Sequence, residues 1–101
     1  MDKAAIMNNI KRYAIEVQKE LRPDAIILFG SYANDTATED SDIDLAIIVN
    51  DFEGDRLEAA ARLSYLTWDI DTRIEPILLD KSKARSSFVN EVLRTGEKIT
   101  I

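Results

Sequence analysis

The sequence predicts an α/β sandwich, one small sheet with helices packed on it. Three observations predict it. Ala25-Ile26-Ile27-Leu28-Phe29 is a short, unbroken apolar run, the pattern of a strand buried on both faces. Other stretches repeat apolar residues at three- and four-residue steps with charges between them, the pattern of amphipathic helices. The two kinds of segment alternate as αβ(α)βαβα, which suits one sheet with helices packed on it.

The first helix is expected from about residue 3 to 21, with Ile6, Ile10, Tyr13, Val17 and Leu21 on one face. Pro23 ends it, because the proline ring disfavours helix at the preceding residue. Gly30-Ser31 closes the first strand, and Tyr32 to Ser41 leaves room for a short helical turn and a loop. Asp42 to Val49 is the second strand. A second long helix is expected over about 55 to 68, its face marked by Leu57, Ala61, Ser64, Tyr65 and Trp68. Arg73 to Leu79 is the third strand, and Pro76 within it argues for a sheet edge, since proline cannot donate to a ladder. Ser86 to Arg94 forms the last helix, with Phe88, Val92 and Leu93 inward and Gly96 as its C-terminal cap. Lys98 to Ile101 is a short terminal strand. No linker divides the chain, so residues 1–101 are expected to form a single domain.

Composition excludes several chemistries. The chain of 101 residues has neither cysteine nor histidine, which removes disulfides, Cys/His zinc sites and histidine-dependent catalysis. With 13 basic and 19 acidic residues the net charge is −6, so no general field attracts nucleic acid or an anionic membrane. The N-terminus resembles neither a signal peptide nor a membrane span, and a cytoplasmic location is expected.

Three features could carry chemistry. Asp42 and Asp44 stand at positions i and i+2 of a strand, so their carboxylates share one face. Two anions so placed repel unless a cation intervenes, and oxygen-rich pairs of this kind suit Mg²⁺ with substrate phosphates. Solvated acids at a strand end are the plainer reading. Gly30 lets a phosphate approach the backbone, and the Ser31 hydroxyl and nearby amides could hold its oxygens. An ordinary strand-to-helix turn with Ser31 as N-cap accounts for the same residues. Glu75 breaks the apolar pattern of the third strand, a mark of a functional position or of a solvent-facing edge residue paired with Arg73. Asp71 is the reserve choice for that role, and Asp69 reads as a solvated helix end.

Gly30-Ser31, ten residues, then Asp42-Ile43-Asp44 resembles the pattern of the DNA polymerase β-like nucleotidyltransferase superfamily. The fuller run Gly30-Ser31-Tyr32-Ala33 through Ser41-Asp42-Ile43-Asp44-Leu45-Ala46, and the ending Phe88 to Gly96, are similar to its minimal nucleotidyltransferase branch. That resemblance implies the nucleotidyltransferase fold, a small mixed sheet of three or four strands flanked by helices. It also implies metal-binding carboxylates at Asp42, Asp44 and Glu75, and Gly30 and Ser31 against the β- and γ-phosphates. The cofactor it implies is Mg²⁺, as two ions, with ATP as substrate. The reaction is in-line attack of an acceptor hydroxyl on the α-phosphate, with pyrophosphate leaving.

Members of the branch are often antitoxins paired with a HEPN-type ribonuclease toxin, and similar antitoxins place AMP on a tyrosine of that partner. The resemblance therefore implies a HEPN-type toxin as partner, in a hetero-oligomer, with no membrane and no direct nucleic-acid contact. A non-catalytic antitoxin that acts by docking, or a transferase with another acceptor, is the alternative. One departure bears on activity. Relatives usually read Arg-Gly where this chain has Asn34-Asp35, so a base is lost and an acid gained beside the phosphates.

Overall fold

The computed structural model describes residues 3–30, 32–33, 37–38, 41–83 and 87–100. The elements follow in the order α1 (Lys3–Glu20), β1 (Ala25–Phe29), β2 (Ile43–Val49), α2 (Arg56–Tyr65), β3 (Ile74–Asp80), α3 (Ser87–Thr95) and β4 (Glu97–Lys98). The four strands make one sheet in the order β3-β2-β1-β4. β2 and β3 are parallel, with α2 as their crossover, and β1 is antiparallel to both β2 and β4. The sheet is therefore mixed, as expected, and β3 with its Pro76 lies at an edge.

The two faces of the sheet are covered unequally. Ile26 and Leu28 of β1, Ile43, Leu45, Ile47 and Val49 of β2, and Ile74 and Leu78 of β3 point to the face packed by α1 and α2. Ile6, Ile10, Tyr13 and Val17 of α1 are buried there, as the helical spacing predicts. The Tyr13 hydroxyl donates to the Leu63 carbonyl oxygen at 2.7 Å, tying α1 to α2, and burial raises the Tyr13 pKa. The opposite face carries Ile27, Ala46 and Ile48 and is packed mainly by Val92 of α3. Among the described residues it is the smaller of the two clusters.

Two helix faces differ from the periodicity reading. α2 ends at Tyr65 rather than 68, so Trp68 falls in the turn after it; Leu57 is 84% exposed and Tyr65 and Trp68 are each 67% exposed, while Ala61 and Ser64 are also exposed. The inward stripe is instead Ala59, Leu63, Leu66 and Ile70. Both stripes obey helical spacing, so period alone cannot choose between them. The Leu63 carbonyl under the Tyr13 hydroxyl belongs to the stripe that packs. On α3, Val89 and Val92 are buried, whereas Leu93 is 46% and Phe88 42% exposed.

Gly96 also acts differently from a left-handed cap. The only positive-φ glycines among the described residues are Gly30 and Gly54. The Gly96 N–H continues the helical pattern to the Val92 oxygen at 2.9 Å. A Cβ there would lie 2.3 Å from Ile27 Cγ2, so glycine is required by close approach of the helix end to β1. β4 is shorter than the expected 98–101, covering Glu97 and Lys98. The Ile99 N–H still bonds the Ile26 oxygen at 2.8 Å.

Candidate active site

Strand register builds the site. Asp44 of β2 lies opposite Phe29 of β1 on one side and Glu75 of β3 on the other. Residues opposite one another in adjacent strands point to the same face, with Cβ atoms about 5 Å apart. Asp44 and Glu75 therefore sit side by side on the face of the smaller cluster. Asp42 stands just before β2 rather than within it, and its charge reaches Asp44.

The electrostatics follow from this crowding. The Asp44 carboxyl is half-buried, and its pKa is raised, first by burial and then by the charges of Asp42 and Glu75. All three carboxylates are thus within each other's electrostatic reach at Asp44. As oriented, no three acidic side chains among the described residues close tightly enough to enclose a metal ion. Asp42 and Glu75 are exposed, so rotation of either meets solvent rather than core.

Gly30 presses directly on this group. Its φ is +76°, and a Cβ built on it would lie 2.4 Å from Asp44 Oδ2. The turn after β1 therefore brings bare backbone onto the Asp44 carboxylate, leaving space only glycine can leave. Ser31, the expected phosphate ligand, and Asn34-Asp35 lie outside the described residues. The donor set is all oxygen, half-buried at its centre and anionic, which fits a hard divalent cation and a triphosphate beside it.

Asp71, the reserve choice, is otherwise engaged. Its carboxylate accepts from Arg73 Nη2 at 2.7 Å, Arg73 Nε at 3.0 Å and Asn9 Nδ2 at 3.2 Å. The Arg73 hydrogen bond, more than any other cause, lowers its pKa. Arg73 thus pairs with Asp71 and not with Glu75, and it precedes β3 rather than opening it.

Phe29 was not singled out by the sequence reading. It lies beside Asp44, and its ring meets Phe88 edge to face, with centroids 5.7 Å apart at 80°. Its place at the end of the apolar run, directly before Gly30-Ser31, was the available signal.

Comparison with known proteins gives this arrangement its family. Residues 8–101 match the model of the polymerase β nucleotidyltransferase domain. The chain belongs to that family and is a nucleotidyltransferase. Two proteins of Methanocaldococcus jannaschii, each named "putative protein adenylyltransferase", are similar along most of the chain. One is 32% identical, covering 93% of this chain and 98% of the relative. The other is 30% identical, covering 98% of this chain and 74% of the relative. A crystal structure of a "putative nucleotidyltransferase" from Sulfolobus solfataricus shares the fold, with a TM-score of 0.64 over 97% of this chain and 87% of that one at 18% identity. A chain from a crystal structure of a toxin–antitoxin with AMP-PNP superposes with a TM-score of 0.59. It covers 93% of this chain and 72% of that one at 26% identity. No helix among the described residues is long and apolar enough to cross a membrane.

Proposed function

We propose that this nucleotidyltransferase is an antitoxin. It transfers AMP from ATP to a tyrosine hydroxyl of a HEPN-type ribonuclease toxin and releases pyrophosphate. The observation that carries the reading is the register that sets Asp44 between Gly30 and Glu75, with Asp42 two residues away. Protein adenylylation is supported by the names of the two archaeal relatives, and a toxin partner and adenine nucleotide by the toxin–antitoxin structure with AMP-PNP.

Each residue has a role in that reaction. Asp42 and Asp44 hold Mg²⁺, and Glu75 completes the set or takes the proton of the acceptor hydroxyl. When bound, Mg²⁺ supplies Lewis-acid neutralisation of the phosphates and lowers the acceptor hydroxyl's pKa. Gly30 admits the triphosphate to the backbone, and Ser31 binds its β- and γ-phosphate oxygens. A bond forms between the tyrosine oxygen and the α-phosphorus, the bond from that phosphorus to the bridging oxygen of pyrophosphate breaks, and the phenolic proton passes to a carboxylate.

A second reading, an antitoxin that neutralises by docking alone, is favoured by Asn34-Asp35 in place of Arg-Gly. One experiment separates the two. The protein is incubated with labelled ATP, Mg²⁺ and the product of the adjacent gene, and the partner's mass is measured. Addition of AMP that disappears in Asp42→Ala/Asp44→Ala is the expected result. Labelling that persists in the double variant excludes the proposed site. A tight complex without labelling establishes docking alone.

A further inference from the structure

The outward stripe of α2 has no covering element among the described residues. Leu57 and Tyr65 of α2 and Trp68 in the turn after it are 84%, 67% and 67% exposed, and the Tyr65 and Trp68 rings meet tilted at 33°, 4.9 Å between centroids. Large aromatic side chains so exposed, grouped on one face, mark interaction surfaces rather than solvated helix. Two hollows flank Tyr65. One, of about 370 Å³, runs toward α1 at Ile15, and the other, of about 440 Å³, runs along Ala61.

Charge selects the occupant. The first hollow is rimmed by Glu16 and Asp69 against Arg12, and the second by Glu20 and Glu58 against Arg62. Arg62 is already engaged by Glu20 at 3.2 Å, and Lys19 makes only a long, exposed pair with Glu16 at 3.5 Å. The rim is left acidic on a chain of net charge −6. A second copy would bring acid to acid, whereas a basic-edged partner is complementary.

Position links this surface to the chemistry. α2 joins parallel strands, so it runs back along the sheet and ends where β3 begins. Tyr65 and Trp68 therefore lie toward the end of the sheet that carries Asp44 and Glu75, on the α1 side and across the sheet from those carboxylates.

We infer that the Leu57-Ala61-Tyr65-Trp68 face docks the protein acceptor of the transferred nucleotide, through an apolar segment edged with Lys or Arg. The acceptor role rests on the proposed transfer to protein, while the docking itself does not. Trp68 is the only tryptophan, so its fluorescence reports the surface directly. The full chain is titrated with an amphipathic helical peptide whose apolar stripe is flanked by lysines, and with the same peptide flanked by glutamates. The expected result is a blue shift with the lysine peptide alone, weakened by salt. Its affinity is expected to fall about tenfold or more in Leu57→Ser and Tyr65→Ser. Circular dichroism checks that both variants stay folded.

No shift with either peptide, or equal shifts with both, overturns the inference. A blue shift that instead follows protein concentration, with sedimentation as a dimer, assigns the face to a second copy. Where labelled transfer to a partner is measurable, Tyr65→Ser is expected to raise the KM for that partner about tenfold and leave the KM for ATP unchanged. An unchanged KM for the partner overturns the acceptor role even if the peptide docks. Failure of transfer in the unaltered protein counts against the proposed function and leaves the fluorescence result standing.

Discussion

Asp44 and Asp80 lie toward opposite ends of one parallel strand pair, and the protein holds them in opposite ways. Asp44 of β2 faces Glu75 and lies within reach of Asp42, and its pKa is raised by burial and by those two acids. Asp80 ends β3 and is only 1% exposed. Its carboxylate accepts from Ser82 Oγ at 2.7 Å, Phe52 N–H at 2.9 Å, Ser82 N–H at 3.0 Å and Asp51 N–H at 3.1 Å. Those bonds, led by the Ser82 hydroxyl, bring its pKa down to about 2. They also hold Asp51 in a left-handed conformation at φ 54° and fix the loop after β2. One carboxylate is surrounded by donors and stabilises the fold, and the other is surrounded by acceptors and opposes it. Acids kept in the second condition are candidates for catalysis, because folding gives no reason to keep them.

Substitution by the neutral isostere breaks the comparison most sharply. Asp44→Asn is expected to lower the rate of AMP transfer by about 10³-fold or more, roughly 4 kcal/mol of barrier. It is expected to leave stability unchanged or raise it, since removing one of two opposed like charges gains a few tenths of a kcal/mol to about 1. Asp80→Asn is expected to do the reverse. The melting temperature falls by several degrees, while the transfer rate of folded protein stays within about twofold. Thermal melts paired with labelled transfer measure both. A destabilised Asp44→Asn variant with normal activity would sink the distinction.

The same contrast distinguishes Glu75 from Asp71. Asp71 resembles Asp80 on a smaller scale, held by Arg73 and Asn9 with its pKa lowered, whereas Glu75 faces an acid. Glu75→Gln is expected to reduce kcat about 10²-fold. Asp71→Asn is expected to change kcat by less than about threefold and to cost stability instead. Gly30→Ala sharpens the same site from the backbone side. The added methyl meets Asp44 Oδ2 in a strained conformation, and misplacing the carboxylate is expected to cost about 10- to 10²-fold in rate.

Much of this was legible in the chain. The unbroken run Ala25–Phe29 set the first strand's bounds, because every residue in it is apolar and its flanks are not. Asp44 was readable as a charge near the head of an apolar strand, whereas Asp42, expected within that strand, falls just before it, where the i, i+2 rule does not apply. Pro76 placed β3 at the edge through its missing donor. The α2 face was not legible, because two apolar stripes with the same period share that helix and tertiary contacts choose between them. The role of Asp80 was not legible either. Its donors come partly from Asp51 and Phe52, 29 and 28 residues away in sequence, and no local pattern marks them. The Asp44–Glu75 pairing likewise depends on parallel register, which is set across a whole crossover rather than by either strand.

Acid titration gives the smallest and most specific test of the comparison. A carboxyl whose folded pKa lies below its unfolded value contributes stability above the unfolded value and loses it as pH falls through the folded one. For Asp80 these values are 3.8 unfolded and about 2 folded, so its contribution is full above pH 3.8 and fades as pH drops toward 2. Asp44 has the opposite sign, because its folded pKa is raised. Its ionisation costs stability near neutrality, and the cost is relieved as pH falls through its folded pKa, before Asp80 begins to protonate. Melting temperature measured without added metal is therefore expected to hold or rise slightly on mild acidification and then fall below about pH 4. Asp80→Asn flattens the fall, because one carboxylate that must protonate is gone. Asp44→Asn removes the gain above it and leaves the fall in place. Identical pH profiles in the two variants would mean that the two carboxylates are held alike, and the separation of structural acid from candidate catalytic acid along this strand pair would fail.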